Sequence, residues 1–179
     1  MKLKLLLFCV TIGHLMYSQN VINFNDKSYP STDAFYFTQN ASTHSYSSSR
    51  KYYEPITLSI GKNNKGGVIL LQKDNLLKLV HDEGFNEELK IEAHLTGDLY
   101  IYLQDNSVIH CIDREIYGYI DDTSSVLYYL TNIEIDKLKK STIVKIVYGL
   151  EAGIRETKKY SASAQDNDTT EAINILFNE

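Results

Sequence analysis

The sequence predicts a mainly β fold (β-rich α+β), an antiparallel sheet or sandwich with one short inserted helix and a helix at the carboxyl end. Three observations carry that expectation. Apolar and polar residues alternate in short runs such as Ile56-Thr57-Leu58-Ser59-Ile60, the period of a strand with one buried face. Clusters of Gly, Asn, Asp and Ser separate these runs, as turns require. The period changes to a helical one only after Leu130 and again after Asp168, each time behind a capping signal.

From the amino end, Met1-Lys2-Leu3-Lys4 is a short basic segment and Leu5 to Ile12 an apolar run. That order predicts a cleavable signal peptide over residues 1–18. The run stops at Gly13, well short of the roughly 20 residues that cross a bilayer as a permanent helix. Phe8 precedes Cys9, so the small residue required before a lipidated cysteine is missing. The expectation is an exported protein, periplasmic, at the cell surface or extracellular, with no integral membrane segment after signal removal.

Residues 19–53 read as a Ser- and Tyr-rich, loosely ordered arm, because Lys27 to Tyr53 offers no apolar periodicity that a core could use. The competing reading within it is one strand at Ala34 to Thr38, an aromatic run suited to a pleated surface. Residues 54–179 read as a single β-rich domain. There Ile56 to Ile60 and Val68 to Leu71 form a hairpin across Gly61 to Gly67, and Leu76 to Val80 is a short helix or strand. Leu89 to Leu95 alternates, Thr96-Gly97-Asp98 turns the chain, and Leu99 to Leu103 follows as another strand. Val108 to Ile112 pairs back across Gln104-Asp105-Asn106-Ser107. Ile116 to Ile120 and Val126 to Leu130 are two more strands, separated by Asp121 to Ser125.

Thr131 and Glu134 then stand at capping-box spacing, with Leu130 and Ile135 placed as a hydrophobic staple. Acids lead that helix and Lys137, Lys139 and Lys140 close it, matching the helix dipole. Ile143 to Tyr148 is β-branched and reads as a strand ended by Gly149. Asp168 and Glu171 repeat the capping pattern before Ile173, Leu176 and Phe177, which share one helical face.

Charge and cysteine content narrow the function. The formal net charge is −5 and becomes −7 once Lys2 and Lys4 leave with the signal. Arginines stand only at positions 50, 114 and 155, so no basic stripe exists to neutralise a phosphate backbone, and nucleic acid is not an expected partner. Cys9 leaves with the signal, and Cys111 is then alone, without a disulfide framework.

No motif assigns a catalytic or metal-ligating residue. His44, His81, His94 and His110 show no helical ligand spacing, and the acids Asp82, Glu83, Glu87 and Glu88 lack the alternation and central glycine of a calcium loop. Asp166-Asn167-Asp168 begins like such a loop, but Glu171 stands where glycine is needed. Cys111 reads as a buried structural thiol. Asp121-Asp122 reads as a solvent turn rather than a glycosidase pair. No cofactor is expected.

The enriched feature is tyrosine, 14 residues with no tryptophan. Tyr100 and Tyr102 alternate against Leu99, Ile101 and Leu103, and Tyr117 and Tyr119 against Ile116 and Ile120. On adjacent strands these four would form a patch able to bind a carbohydrate or protein ligand, since tyrosine supplies rigid amphipathic area at small entropic cost. The leading expectation is therefore a non-enzymatic exported binding or structural module. Its alternatives are a small secreted hydrolase assembled from His81, His94, His110 and the acids near Asp82, or a subunit of a cell-surface assembly that offers a sheet edge.

Overall fold

A computed structural model describes residues 20–39, 55–74, 76–79, 89–120, 122–152, 157–165 and 168–178, with the backbone alone at 76–79, 89–92, 120 and 152. The expected signal at 1–18, residues 19 and 40–53 of the expected arm, and the stretch 80–88 holding His81, Asp82 and Glu83 lie outside the described residues.

The chain opens with a hairpin, β1 (Asn20–Phe24) and β2 (Lys27–Ser31). Its two turn residues, Asn25 and Asp26, both take positive φ, the geometry that matches the twist of hairpin strands and that Asn and Asp tolerate. β3 (Phe35–Gln39) follows, close to the strand considered at 34–38. The described part of the arm is thus largely strand. Its few apolar residues suffice because they are concentrated: Ile22 and Tyr29 bury against Val68, Leu70 and Leu127 in a small cluster of their own.

β4 (Ile56–Asn63) and β5 (Gly66–Asp74) form the expected hairpin, but the turn is Asn64-Lys65 alone, and Gly61 sits inside the ladder opposite Val68. Close approach explains that glycine. A Cβ on Gly61 would lie 3.0 Å from Tyr29 Cβ and 3.2 Å from Ile22 Cδ1, where the first hairpin lies across the sheet.

β6 (Leu76–Leu79) takes the strand alternative at 76–80, and β7 (Leu89–Leu103) runs for 15 residues. The turn expected at Thr96-Gly97-Asp98 is instead a bulge within β7. Both halves of β7 pair with one strand, β11 (Ile143–Ala152), so the chain keeps its direction. Thr96 stands opposite Gly149 and Tyr100 opposite Val147, which leaves two extra residues on β7, and Gly97 absorbs the bend at a φ of 76°.

β8 (Val108–Cys111) pairs back on β7, β9 (Tyr117–Ile120) follows, and β10 (Thr123–Leu130) starts earlier than expected because Ser124 and Ser125 are buried within the ladder. The first helix, α1 (Asn132–Leu138), carries the full capping box: Thr131 N–H donates to Glu134 Oε2 at 2.7 Å, and Glu134 N–H donates to Thr131 Oγ1 at 3.4 Å. β11 continues past Gly149. β12 (Lys158–Ala164) was not anticipated, since Ala162 is its only fully buried side chain. The closing helix, α2 (Thr169–Asn178), begins at Asp168, whose carboxylate accepts the Thr170 N–H at 3.0 Å.

The strands form one antiparallel sheet in the order β6-β7-β11-β12-β3-β4-β5-β10-β9, with β8 also on β7 and the β1–β2 hairpin reaching β4. The sheet curls until β10 meets β7, and this seam is closed by side chains rather than a ladder. Leu95 N–H donates to Ser124 Oγ at 2.8 Å, and Tyr128 Oη donates to the Gly97 carbonyl at 2.8 Å. Inside the curl lies the main core, including Phe37, Leu58, Leu71, Leu99, Ile101, Tyr128, Ile146 and Tyr148, with Ile135 and Leu138 from α1 and Ile173 from α2. No helix among the described residues is long and apolar enough to cross a membrane.

Candidate functional site

The seam does not close along its whole length, and the gap is a cleft of about 700 Å³. β7 contributes His94, Leu95 and Thr96 to one wall, and β9 contributes Tyr117 and Tyr119 to the other. Residue parity sets this arrangement: Leu95 is buried in the core, so its neighbours His94 and Thr96 share the opposite face, just ahead of the bulge. Glu151 of β11 enters the lining because it pairs directly with His94 in the β7–β11 ladder. Directly paired residues place their side chains on one face, with Cβ atoms roughly 5 Å apart.

Gly149 holds this corner together. A Cβ there would lie 2.2 Å from the Thr96 carbonyl oxygen, so only glycine lets β11 approach the bulge this closely.

The tyrosine wall is fixed from behind by two aspartates. Asp113, in the connection between β8 and β9, accepts the Gly97 N–H at 2.7 Å and the Tyr117 hydroxyl at 2.5 Å through one oxygen. Its own N–H donates to Asp98 Oδ1 at 2.8 Å, and Asp98 Oδ2 meets His110 Nε2 at 2.6 Å. The Asp113 N–H, and then His110, hold the Asp98 carboxyl below the usual carboxylate range. Burial, and then the hydrogen bond to Asp113, raise the Tyr117 phenol above its ordinary range. Tyr117 therefore presents its ring to the cleft with its hydroxyl anchored. Tyr119 lies beside His94, ring centroids 5.5 Å apart. Both tyrosines remain open to solvent, at 42% and 48% of their surface.

The four tyrosines singled out in the sequence fall into two groups. Tyr117 and Tyr119 line the cleft, whereas Tyr100 and Tyr102 stand on the outer face of β7 and are not among its lining residues. β7 and β9 are not hydrogen-bonded neighbours. Tyr100 also has its ring engaged by the protein: His110 stacks on it at 4.5 Å and Lys159 Nζ sits 5.1 Å from its centroid. Lys145 Nζ lies 4.1 Å from the Tyr102 centroid.

The two described histidines of the set, His94 and His110, do not converge. His110 pairs with Tyr100, six positions along β7 from His94, a separation of about 15–20 Å at the strand rise of 3.3 Å per residue. Among the described residues no group of three or more His, Cys, Asp or Glu could hold a metal. Ser124 Oγ, at the floor of the cleft, accepts the Leu95 N–H. Cys111 is buried away from the cleft, and burial pushes its thiol up to about 12.

Sequence reasoning missed His94, Thr96, Ser124 and Glu151 as neighbours of the tyrosines. The bulge signal Thr96-Gly97-Asp98 could have suggested a functional corner, since bulges re-aim side chains. Comparison with protein-family models, with characterised proteins and with solved structures finds no match to the chain.

Proposed function

We propose that this chain is a non-enzymatic exported binding module that takes a carbohydrate in the cleft between β7 and β9. The observation that carries this reading is the pair of half-exposed tyrosines, Tyr117 and Tyr119, held on one wall of a 700 Å³ cleft. Aromatic rings offer flat apolar faces for the C–H face of a sugar, while His94 and Glu151 supply polar groups in the lining. Glycoside cleavage commonly uses two carboxylates about 5 to 9 Å apart. Glu151 is the one acidic side chain lining the cleft among the described residues, which favours binding over hydrolysis.

The test is calorimetric titration of the protein with a panel of oligosaccharides, repeated with Tyr119→Ala. A ligand that binds the wild type should bind the variant at least about tenfold more weakly, about 1.4 kcal/mol, with an unchanged melting temperature. Failure of every glycan to bind would overturn the reading.

A second reading, a cell-surface assembly subunit, is favoured by β8. Among the described residues it pairs only with β7, and Val108 and the adjacent Ile112 are exposed beside its outer edge. Light scattering that finds a monomer at high concentration would count against it.

A further inference from the structure

We infer that the ligand of the cleft bears a primary ammonium group, that is, an amino sugar with a free amine, and that Glu151 is the residue that recognises it. This inference rests on the carbohydrate reading above and narrows it.

The lining sets a carboxylate, Glu151, beside the imidazole of His94. Among the described residues it contains one acidic side chain, Glu151, and no lysine or arginine. The Glu151 side chain is exposed where it lines the cleft, which puts its carboxylate within reach of a ligand. The same cleft is lined by two tyrosine rings, whose faces carry the negative end of the aromatic quadrupole and attract a cation. Asp113 behind Tyr117 accepts its phenolic proton and adds a further negative charge on that wall.

The protein's own lysines show how an ammonium meets a tyrosine ring elsewhere on its surface. On the outer face of β7, Lys145 and Lys159 place their ammonium groups 4.1 Å and 5.1 Å from the centroids of Tyr102 and Tyr100. In the cleft, tyrosine and carboxylate stand together without a lysine in the lining, and a ligand amine would complete the same arrangement. A net charge of −5 for the whole chain adds long-range attraction for a cationic ligand.

The experiment titrates the protein, by calorimetry at low ionic strength and a pH where the amine is protonated, with the β-1,4-linked tetramer of glucosamine and with its fully N-acetylated counterpart. The two differ in charge at each amine and share the sugar rings. The expected result is at least tenfold tighter binding of the free-amine tetramer, a preference that falls as salt is added and disappears in Glu151→Gln. Glu151 is exposed, so that variant should fold, and an unchanged melting temperature verifies it. Equal binding of the two tetramers would overturn the inference and leave the carbohydrate reading standing. Free-amine preference that survives Glu151→Gln would overturn the assignment to Glu151. Binding of neither tetramer would overturn the inference, and the panel above then decides the parent reading separately.

Discussion

Two tyrosines in the main core offer a direct test of how the curled sheet is held. Tyr128 and Tyr148 are each 1% exposed, and burial raises both phenols far above their ordinary range. Their hydroxyls differ in one respect. Tyr128 Oη donates across the seam to the Gly97 carbonyl at 2.8 Å, whereas Tyr148 Oη is buried with no hydrogen-bond partner among the described residues. Phenylalanine at each position removes the same atom from a similar environment. Tyr128→Phe forfeits a net hydrogen bond and leaves the Gly97 carbonyl without that donor, a loss of about 1–3 kcal/mol. Tyr148→Phe removes a polar group whose desolvation nothing offsets, so stability should hold or rise by up to about 1 kcal/mol. For a domain of this size 1 kcal/mol moves the melting temperature by about 2–4 °C. The two variants differ by about 1–4 kcal/mol and should then melt about 2–16 °C apart, with Tyr128→Phe the lower. Thermal unfolding followed by near-ultraviolet circular dichroism, with urea titrations to obtain free energies, measures this. Equal destabilisation in the two variants would refute the reasoning, because it would mean that the Tyr148 hydroxyl is satisfied or that the seam bond contributes nothing.

Four further outcomes follow from the same geometry. Asp98 has a depressed pKa in the folded state, so its contribution is fully present above the unfolded value, about 3.9, and is lost as pH falls through the folded one. Asp98→Asn should therefore lose stability less steeply than wild type when acid denaturation is followed below about pH 4. The Cys111 thiol, pushed up to about 12 by burial, should resist a disulfide reagent in the native protein and react stoichiometrically in denaturant. Thr131→Ala deletes one half of the capping box and should cost about 1 kcal/mol in urea unfolding, with the sheet intact by circular dichroism. Gly149→Ala places a methyl group against the Thr96 carbonyl and should cost about 1–3 kcal/mol; a neutral effect would show that β7 and β11 approach less closely there.

What the sequence disclosed depended on how much of each element faces a core. Ile56, Leu58 and Ile60 alternate visibly because β4 buries one whole face, and the helix after Leu130 announces itself through Thr131 and Glu134. β12 was silent because its place in the sheet rests on backbone pairing with β11 and β3 and on the small Ala162, which leaves little apolar pattern to read. The β1–β2 hairpin was overlooked for a different reason: its burial is against Val68, Leu70 and Leu127 on the outer face of other strands, a partner set far away in sequence. For the site, Tyr117 and Tyr119 were visible as an alternating pair. Their company was not. Sequence order suggests that strands carrying tyrosines lie side by side, whereas the curl brings β9 across a gap from the bulge of β7, and Glu151 arrives through a pairing of residues 57 positions apart, from His94 to Glu151.

The two extra residues at the bulge of β7 also limit how this chain can change in length. Side chains alternate with a period of two, so Leu95 on one side of the bulge and Leu99 on the other both face inward. Insertion or deletion of a pair of residues at Gly97-Asp98 would preserve that agreement, whereas a change of one residue would turn Ala93 and Leu95, or else Leu99, Ile101 and Leu103, out to solvent. Length variation at this corner of the cleft is therefore expected in steps of two, so that the mouth of the site could widen or narrow while the core beneath it keeps the same residues.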